Sequence, residues 1–547
     1  MQTPTAAPAT RLDFATVWLV GVACAALSIV VAAMAALNTA LPEIAPNLQA
    51  STIQMTWIID GYTLVLAALL LPAGAVGDRW GRRGVLVAGM VVFAVASLLP
   101  LWVNDPTLFI ATRCLAGVGA AMVMPSTLSL ISSGVPEDKR PLAVSVWAGV
   151  AGIGAIAGFF VTGMLLEAFS WHSIFITFAA SATLLAVLSC TIPTSKDSTP
   201  KAFDLLGSVT SALAVAVFVY GLIEAPQRGW LDPIVLAALF GGVVLAAAFI
   251  WLQINGSRQL IDVKLFLNRA FGSGAFSVTL QYLASFGTFF LILQRFQMVM
   301  GYSPLKSAVA LLPLVIVMLV STLVGNWFAV HVNLRSTLAG GILIAGVGLI
   351  SLGAFDNTEY WQVCGALCVM AVGIGFASAP ATTAIMMNTP EDNHGVGSAI
   401  NDTARELGAA IGIALAGSIV AAGYSSRIVE TADTAREQVD RTAAAFAGTE
   451  QGQQISAQAD QMHEYVSRSL PEAMAVSEQA AAQGQTGLAA QIAEGAQQAF
   501  LDPMAQASLA LGAVLVASGA LLAWWAPKAI TTEPVEQPEE LAEPVPV

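Results

Sequence analysis

Long apolar runs dominate this chain, and its polar residues fall mostly in the short stretches between those runs. Each run is close to the roughly 20 residues that a helix needs to cross a bilayer. The pattern therefore predicts an all-α polytopic membrane protein with fourteen spans. We place the spans at 16–38, 53–73, 84–103, 108–132, 142–165, 172–193, 205–224, 233–253, 270–294, 307–330, 337–355, 360–386, 397–424 and 504–526.

Composition excludes several classes of protein. Hydrophobic residues make up 56% of the 547 residues and charged residues 10%, against about 25% charged in an ordinary globular domain. Mean hydropathy is +0.75. A soluble enzyme, a nucleic-acid-binding protein and a disulfide-built secreted module are all excluded. The net charge of −13 lies mostly in 425–503 and in the last twenty residues, so it says nothing about a substrate.

The distribution of Lys and Arg between the spans predicts the orientation of the chain. With the N-terminus inside, cytoplasmic segments carry most of the basic residues. Both termini are then cytoplasmic, with 1–15 as the N-terminal segment and 527–547 as an acidic, disordered tail. Segment 425–503 falls outside, as a long extracytoplasmic loop. Its apolar residues recur at helical spacing and favour short amphipathic helices, although a disordered loop fits the composition as well.

Charged residues within spans are costly in a bilayer and are functional candidates for that reason. Asp60 in span 2 could carry a proton or bind a cation, or it could pair with a buried base such as Arg113. Arg113 in span 4 stays protonated, so we expect it to act as a charge partner. No residue set for an enzyme, no cofactor site and no metal-binding His/Cys spacing is present in the sequence.

Three charged residues cluster on span 13: Asp402, Arg405 and Glu406. The two acids are four residues apart and share a helix face. Two carboxylates facing one cavity repel each other, which suits uptake of a proton. The alternative is a helix end near the cytoplasmic mouth that carries ordinary solvated charges.

Residues 74–83 read Gly-Ala-Val-Gly-Asp-Arg-Trp-Gly-Arg-Arg and are expected to form a loop after span 2. The arginines should face the cytosol, while Asp78 ends a helix. Such a loop could latch two helix bundles by salt bridges and bias a two-state equilibrium. A topology signal alone would explain the arginines but not Asp78. The latch residues are Gly74, Asp78, Arg79, Gly81, Arg82 and Arg83.

The 74–83 string resembles the G-x-x-x-D-R-x-G-R-[RK] signature of the major facilitator superfamily, and Arg113 with Gly117 and Gly119 resembles its span-4 motif. The fourteen spans are similar to the drug:proton antiporter branch, which includes quaternary-ammonium exporters. The strings at 37–42, 170–175, 260–266 and 294–305 are similar to flanking motifs of that branch.

This resemblance implies a major facilitator fold of two six-helix bundles plus two inserted helices. The bundles would be 16–193 and 270–424 together with 504–526, with 205–253 inserted between them. A substrate cavity between the bundles would open alternately to the two sides of the cell membrane. The implied partners are small lipophilic substrates, cations among them, protons and the bilayer. We expect a monomer that is not an enzyme and binds no nucleic acid.

Departures from the family pattern concern four positions. Ala33 stands at the span-1 acidic position of cation exporters, and Met318 at the span-10 acid of divalent-cation exporters. Gly158 is followed by Phe159 where the span-5 motif has Gly-Pro, although Gly154 and Gly163 keep the small-residue packing of that span. Arg295 replaces a common tyrosine. Fewer acids in the cavity weaken the case for divalent substrates.

Three hypotheses for function follow from these residues. The first is proton-coupled export of amphipathic drugs or dyes, with coupling through Asp60, Asp402 or Glu406. The second is a dedicated exporter of one endogenous metabolite, lipid or antibiotic, and the third is a non-transporting sensor or scaffold. The cavity of an exporter should be lined by aromatic and methionine side chains. Our candidates for its lining are Trp57, Phe289, Met386 and Met387.

Overall fold

A computed structural model describes residues 13–48, 52–137, 139–196, 203–256, 258–355, 359–444 and 449–530. These residues form eighteen α-helices and no β-strand. The helices are α1 Phe14–Leu48, α2 Thr52–Trp80, α3 Arg82–Leu98, α4 Pro106–Gly134, α5 Arg140–Ala168, α6 His172–Ser189, α7 Leu205–Arg228, α8 Pro233–Asn255, α9 Arg269–Gln294, α10 Pro304–Ala310, α11 Leu312–His331, α12 Leu334–Ala354, α13 Tyr360–Met387, α14 His394–Arg427, α15 Val429–Ala444, α16 Glu450–Arg468, α17 Leu470–Ala482 and α18 Thr486–Trp525.

The predicted spans coincide with helices. Within the described residues, thirteen helical segments are long and apolar enough to cross a membrane. The predicted span 142–165 lies inside α5, which has 29 residues. The all-α polytopic fold is therefore confirmed. Several helices outrun their spans, most of all α18, whose 40 residues begin well before position 504.

The spanning helices pack as two groups with a hairpin beside them. Helices α1 to α6 contact one another, as do α9, α11 to α14 and α18. Small residues allow these close approaches, since a Cβ on Gly117 of α4 would lie 2.5 Å from the Tyr62 carbonyl oxygen of α2. The hairpin α7–α8 packs through α7 on both α2 and α14, so α7 contacts one helix of each bundle.

Residues 74–83 are not a loop, contrary to the prediction. Helix α2 continues to Trp80 and α3 starts at Arg82, so a single residue separates the two helices. Gly81 makes the turn with φ at 108°, a backbone conformation that glycine adopts without the Cβ clash of other residues. The latch residues are consequently held on two rigid helices.

The described residues 429–444, 450–468 and 470–482, which we call the cap segment, are helical, and this outcome favours the amphipathic helices over the disordered loop. Its helices α15, α16 and α17 pack on one another and on α18. Tyr424 of α14 donates a 3.1 Å hydrogen bond to the Val466 carbonyl oxygen. Arg436 of α15 lies 2.6 Å from Asp460 of α16. We call this side of the molecule the cap end and the side carrying residues 74–83 the latch end.

Candidate functional site

A cavity lies between the two bundles, and both contribute to its wall. Helices α1, α4 and α5 line one side, and α9, α11, α13 and α14 line the other. The lining residues are Val31, Met34, Met124, Ala148, Ala151, Gln281, Tyr282, Ser285, Phe286, Phe289, Leu314, Val315, Met318, Thr322, Ile374, Ser378, Arg405 and Glu406. Six of these residues are aromatic or methionine, and among the described residues that line the cavity the charged ones are Arg405 and Glu406.

Arg405 is buried between two aromatic rings. Its guanidinium carbon lies 5.0 Å from the centre of the Trp147 ring on α5 and 4.6 Å from that of Tyr282 on α9. Its Nη1 forms an ion pair of 3.2 Å with Asp402 Oδ1. A desolvated cation over aromatic faces gains about 2 kcal/mol. Arg405 thereby joins α14 and α9 to a helix of the other bundle.

Glu406 is the acidic residue of the cavity wall. It lines the cavity directly, and within the described part of the chain it has no ion-pair partner within 4.0 Å. Asp402 is fully buried behind the wall and is tied to Arg405. The alternative of solvated charges is wrong, because exposure is 0% for Asp402, 3% for Arg405 and 8% for Glu406.

Arg113 does not pair with Asp60, contrary to the expectation of a charge pair between them. It donates to the carbonyl oxygens of Ile58 and Ala33, both at 3.3 Å. Its guanidinium lies 4.7 Å from the ring centre of Tyr62. Ile58 and Tyr62 are one turn apart on α2, whereas Asp60, about 200° around the helix from Ile58, points to the opposite face. The Ala33 position thus contributes its backbone oxygen instead of an acid.

Asp60 and Trp57 lie outside the cavity, at the interface between α2 and α7. Trp57 stacks on Tyr220 of α7 with ring centres 5.8 Å apart. Gln227, which is also on α7, donates a 3.3 Å hydrogen bond to Thr56 of α2. Trp57 was therefore wrong as a cavity residue, because the α2 face that carries it is covered by the inserted hairpin.

The two predicted methionines on α13 also lie outside the cavity. Met386 is buried among core residues and Met387 follows it at the helix end. Met386 sits eight residues and Met387 nine residues beyond the lining residue Ser378, or about 12–14 Å along the helix axis. Phe289, in contrast, lines the cavity as predicted.

Several residues that line the cavity are not among the predicted lining residues. Methionines on other helices line the cavity instead, namely Met34, Met124 and Met318. Tyr282, Phe286 and Phe289 recur at positions i, i+4 and i+7 of α9 and share one helix face. That spacing alone predicts that Tyr282 and Phe286 lie beside Phe289 on one face of α9.

The latch residue Asp78 binds the start of a helix from the other bundle. Its carboxylate accepts the backbone N–H groups of Gly395 at 2.8 Å and Val396 at 2.9 Å. These are free N–H groups in the first turn of α14, where a negative charge is stabilised. Asp78 also pairs with Arg82 at 2.6 Å, but this salt bridge stays within one bundle. The contact across the bundles is thus a carboxylate on a helix N-terminus.

The latch arginines differ in their surroundings. Arg82 is 2% exposed, so the expectation that it faces the cytosol is wrong, and it donates to the Glu391 carbonyl oxygen at 3.1 Å. Arg83 donates to the Ile192 carbonyl oxygen at 3.1 Å, and Arg79 lies over the Trp80 ring. Buried Arg82 needs Asp78 and the Glu391 carbonyl oxygen as acceptors, because desolvation of an unpaired cation is costly.

Glycines close the latch end and pack span 5. A Cβ on Gly74 would come 2.5 Å from the Gly395 carbonyl oxygen, so the two helices touch there. Gly154 and Gly158 of α5 pack on α1, where a Cβ on Gly158 would lie 2.5 Å from the Ala32 carbonyl oxygen. Gly163 is different, because it faces Leu305 of α10 at an ordinary 3.5 Å.

The described residues hold no cluster of three or more His, Cys, Asp or Glu side chains suited to a metal ion. All five cysteines are free thiols. The site is thus built from one cavity, one buried charge cluster and one latch between the bundles.

Comparison with known proteins identifies the family. The family profile described as Major Facilitator Superfamily matches residues 23–413. The chain belongs to the major facilitator superfamily. The multidrug efflux pump LfrA of Mycolicibacterium smegmatis is 33% identical over 434 residues, which is 78% of this chain and 86% of LfrA. The methyl viologen resistance protein SmvA of Salmonella typhimurium is 31% identical over 414 residues, 75% of this chain and 83% of SmvA.

Further relatives and solved structures agree with this membership. The tetracenomycin C resistance and export protein of Streptomyces glaucescens is 29% identical, over 70% of this chain and 71% of that protein. A bacterial homologue of the human lysosomal transporter Spinster has a TM-score of 0.54 at 15% identity, covering 94% of this chain and 98% of that chain. The proton:xylose symporter XylE has a TM-score of 0.51 at 14% identity, over 72% and 86%. These two solved structures therefore share their fold with this chain.

Proposed function

We propose that this protein exports lipophilic and amphipathic drugs or dyes across the cytoplasmic membrane in exchange for protons. The observation that carries the proposal is Glu406, a buried carboxylate without an ion-pair partner in an aromatic, methionine-lined cavity between the two bundles. Apolar walls bind lipophilic molecules without fixed geometry, and methionine side chains adapt to different shapes. The cavity therefore suits several unrelated substrates.

The charge arithmetic of the cavity supports antiport. Asp402 and Arg405 form an ion pair, and Glu406 adds a further carboxylate to the cavity wall. Ionised Glu406 favours a cationic drug, and protonated Glu406 releases it. Drug and proton then compete for one site, which is the condition for exchange by alternating access.

The names of the relatives support the same substrate class. LfrA is a multidrug efflux pump and SmvA a methyl viologen resistance protein. The Streptomyces relative exports one antibiotic, tetracenomycin C, so a panel of substrates is needed to measure how broad the specificity of this chain is.

We further propose the arrangement in the membrane. Both termini are cytoplasmic, the latch end faces the cytoplasm, and segment 425–503 lies outside. The bundles comprise 16–193 and 270–424 with 504–526, and 205–253 is the insert. The protein works as a monomer, since one chain contributes both walls of the cavity.

The test is proton exchange in inside-out vesicles that hold a pH gradient. A panel of lipophilic cations and neutral drugs is added to wild type, Glu406→Gln and the control Glu478→Gln, which alters an exposed acid of the cap segment. We expect cations to release protons in wild type and the control, and at least tenfold less release in Glu406→Gln. Equal release by Glu406→Gln would refute the role of this carboxylate. No release from wild type with any drug would refute proton-coupled export.

A further inference from the structure

The inserted hairpin covers the acidic face of α2. Helices α2 and α7 run in opposite directions, and two side-chain contacts join them. Gln227 donates a hydrogen bond to Thr56, and Trp57 stacks on Tyr220. Asp60 lies one turn beyond Thr56 on the same face of α2, so it faces the side of α7 that carries Glu224. Tyr220, Glu224 and Gln227 stand at i, i+4 and i+7, so one face of α7 supplies all three.

Glu224 is not a free carboxylate. Arg228, one turn further along α7, donates from Nε to Glu224 Oε2 at 2.5 Å. The Glu224 side chain is 11% exposed, whereas that of Arg228 is 42% exposed at the cap end. A buried carboxylate next to Asp60 is thus held in place by a cation that reaches water.

Other charged groups near these two carboxylates are few. On α4, Arg113 is engaged by backbone oxygens and the Tyr62 ring on the other face of α2. On α14, Glu406 lies at the cavity, and Asp232 lies beyond Arg228 at the start of α8. The remaining titratable neighbours are Cys114, whose sulfur lies near Gly61, and Tyr220. Among these groups, Glu224 lies on the face of α7 that packs on the α2 face carrying Asp60.

We propose that the inserted hairpin belongs to the coupling machinery, with Glu224 as a positioning residue for the Asp60 carboxylate across the α2–α7 interface. This inference rests on the proposed proton-coupled export. Two carboxylates at one interface repel each other, and Arg228 offsets part of that repulsion by pairing with Glu224. Because α7 packs on α2 and also on α14, the charge state at this interface acts on a contact between the two bundles.

The experiment measures the pH profile of exchange in proteoliposomes that contain the purified full chain, with ethidium as the lipophilic cation. Glu224→Gln removes the repulsion, so we expect the pH midpoint of ethidium-driven proton release to fall by about one unit. Arg228→Gln removes the moderating cation, so we expect the midpoint to rise by a similar amount. Glu224→Asp keeps the charge and should restore a midpoint near that of wild type. Asp60→Asn should abolish the pH-dependent release.

A control and a folding check accompany these variants. Glu167→Gln makes the same change at an exposed acid near the cap end of α5 and should leave the midpoint unchanged. Ethidium binding shows that each variant is folded. Opposite shifts in Glu224→Gln and Arg228→Gln support the inference, because damage to packing would not change sign. Unchanged midpoints in both, or full coupling in Asp60→Asn, overturn it while the export function stands. Absence of coupling in wild type overturns both.

Discussion

Arg405 connects the two walls of the cavity. Its guanidinium lies between the rings of Trp147 and Tyr282, which come from different bundles, and its edge pairs with Asp402. A planar, delocalised cation can stack on two rings and form an edge contact at the same time. This arrangement engages the guanidinium with the two rings and with Asp402, and we propose that Glu406 is thereby left available to a drug or a proton.

Arg405→Lys tests this arrangement. A lysine ammonium is a compact charge on a flexible stem and cannot stack on both rings. We expect it to turn toward Glu406 and neutralise it, which weakens the binding of a cationic drug about tenfold, or 1.4 kcal/mol. Equilibrium binding of ethidium to the purified protein measures this. Arg427→Lys makes the same change near the end of α14, where Arg427 forms a more exposed ion pair with Asp502, and should bind ethidium as wild type does. Equal affinity in Arg405→Lys would contradict the role given to stacking.

At the residue scale, the sequence identified the charged groups better than their partners. The cost of charge in a bilayer singles out Asp60, Arg405 and Glu406 as candidates, and the structure places Arg405 and Glu406 on the cavity wall. Trp147 lies 258 positions before Arg405, and no local pattern announces such a contact. Helical periodicity, in contrast, places Ile58 and Asp60 on opposite faces of α2. It therefore shows that an Arg113 bound to Ile58 is turned away from Asp60.

At the scale of elements, glycines lie at two kinds of helix contact. Some of these contacts are within a bundle, and others are between the two bundles. Gly158 joins α5 to α1 within one bundle, where a Cβ would meet the Ala32 backbone at 2.5 Å. Gly74 joins α2 to α14 across the bundles. A clash within a bundle acts on folding, whereas a clash across the bundles acts on the equilibrium between conformations.

Gly158→Ala should therefore lower the stability of the protein. The Cβ of an alanine at position 158 would meet backbone atoms of Ala32, which cannot rotate away, so overpacking should cost about 1–3 kcal/mol. Thermal unfolding in detergent should show a lower Tm than wild type. Gly163→Ala on the same helix is the matched control, because its Cβ would meet Leu305 at an ordinary 3.5 Å, and its Tm should stay unchanged. Equal Tm values for both variants would show that α5 and α1 adjust more easily than the structure indicates.

The sequence predicted elements well where apolar periodicity was long and poorly at their ends. The spans were recognised because a bilayer imposes both length and apolarity on a helix. The glycines and charged residues of 74–83 favour a loop, yet backbone hydrogen bonds continue α2 to Trp80. In the cap segment, helical spacing left a disordered loop open as an alternative, because the contacts that order it, such as Tyr424 with Val466, are distant in sequence.

At the scale of the whole molecule, the cavity is closed by contacts at both ends. The latch end is closed by α2 and α14 through Gly74, Gly395 and the Asp78 carboxylate. Toward the cap end, α5 contacts α10 and α11 of the other bundle. The two closures differ in chemistry, since the first depends on a charge and the second on apolar packing. Transport requires that each closure opens while the other holds.

Asp78→Asn should weaken the latch closure alone. The substitution removes the charge that Gly395 and Val396 bind and leaves buried Arg82 without its anion. Charge-assisted hydrogen bonds contribute about 1.5–3 kcal/mol, so amide hydrogen exchange in peptide 394–402 should rise at least tenfold. Exchange in peptide 160–168 at the cap end should not rise, because the bundles rock about the cavity and one closure tightens as the other opens. Glu391→Gln, which keeps the backbone oxygen that Arg82 uses, should exchange as wild type does. Faster exchange at both ends would indicate general loosening and would argue against a latch that acts on one side.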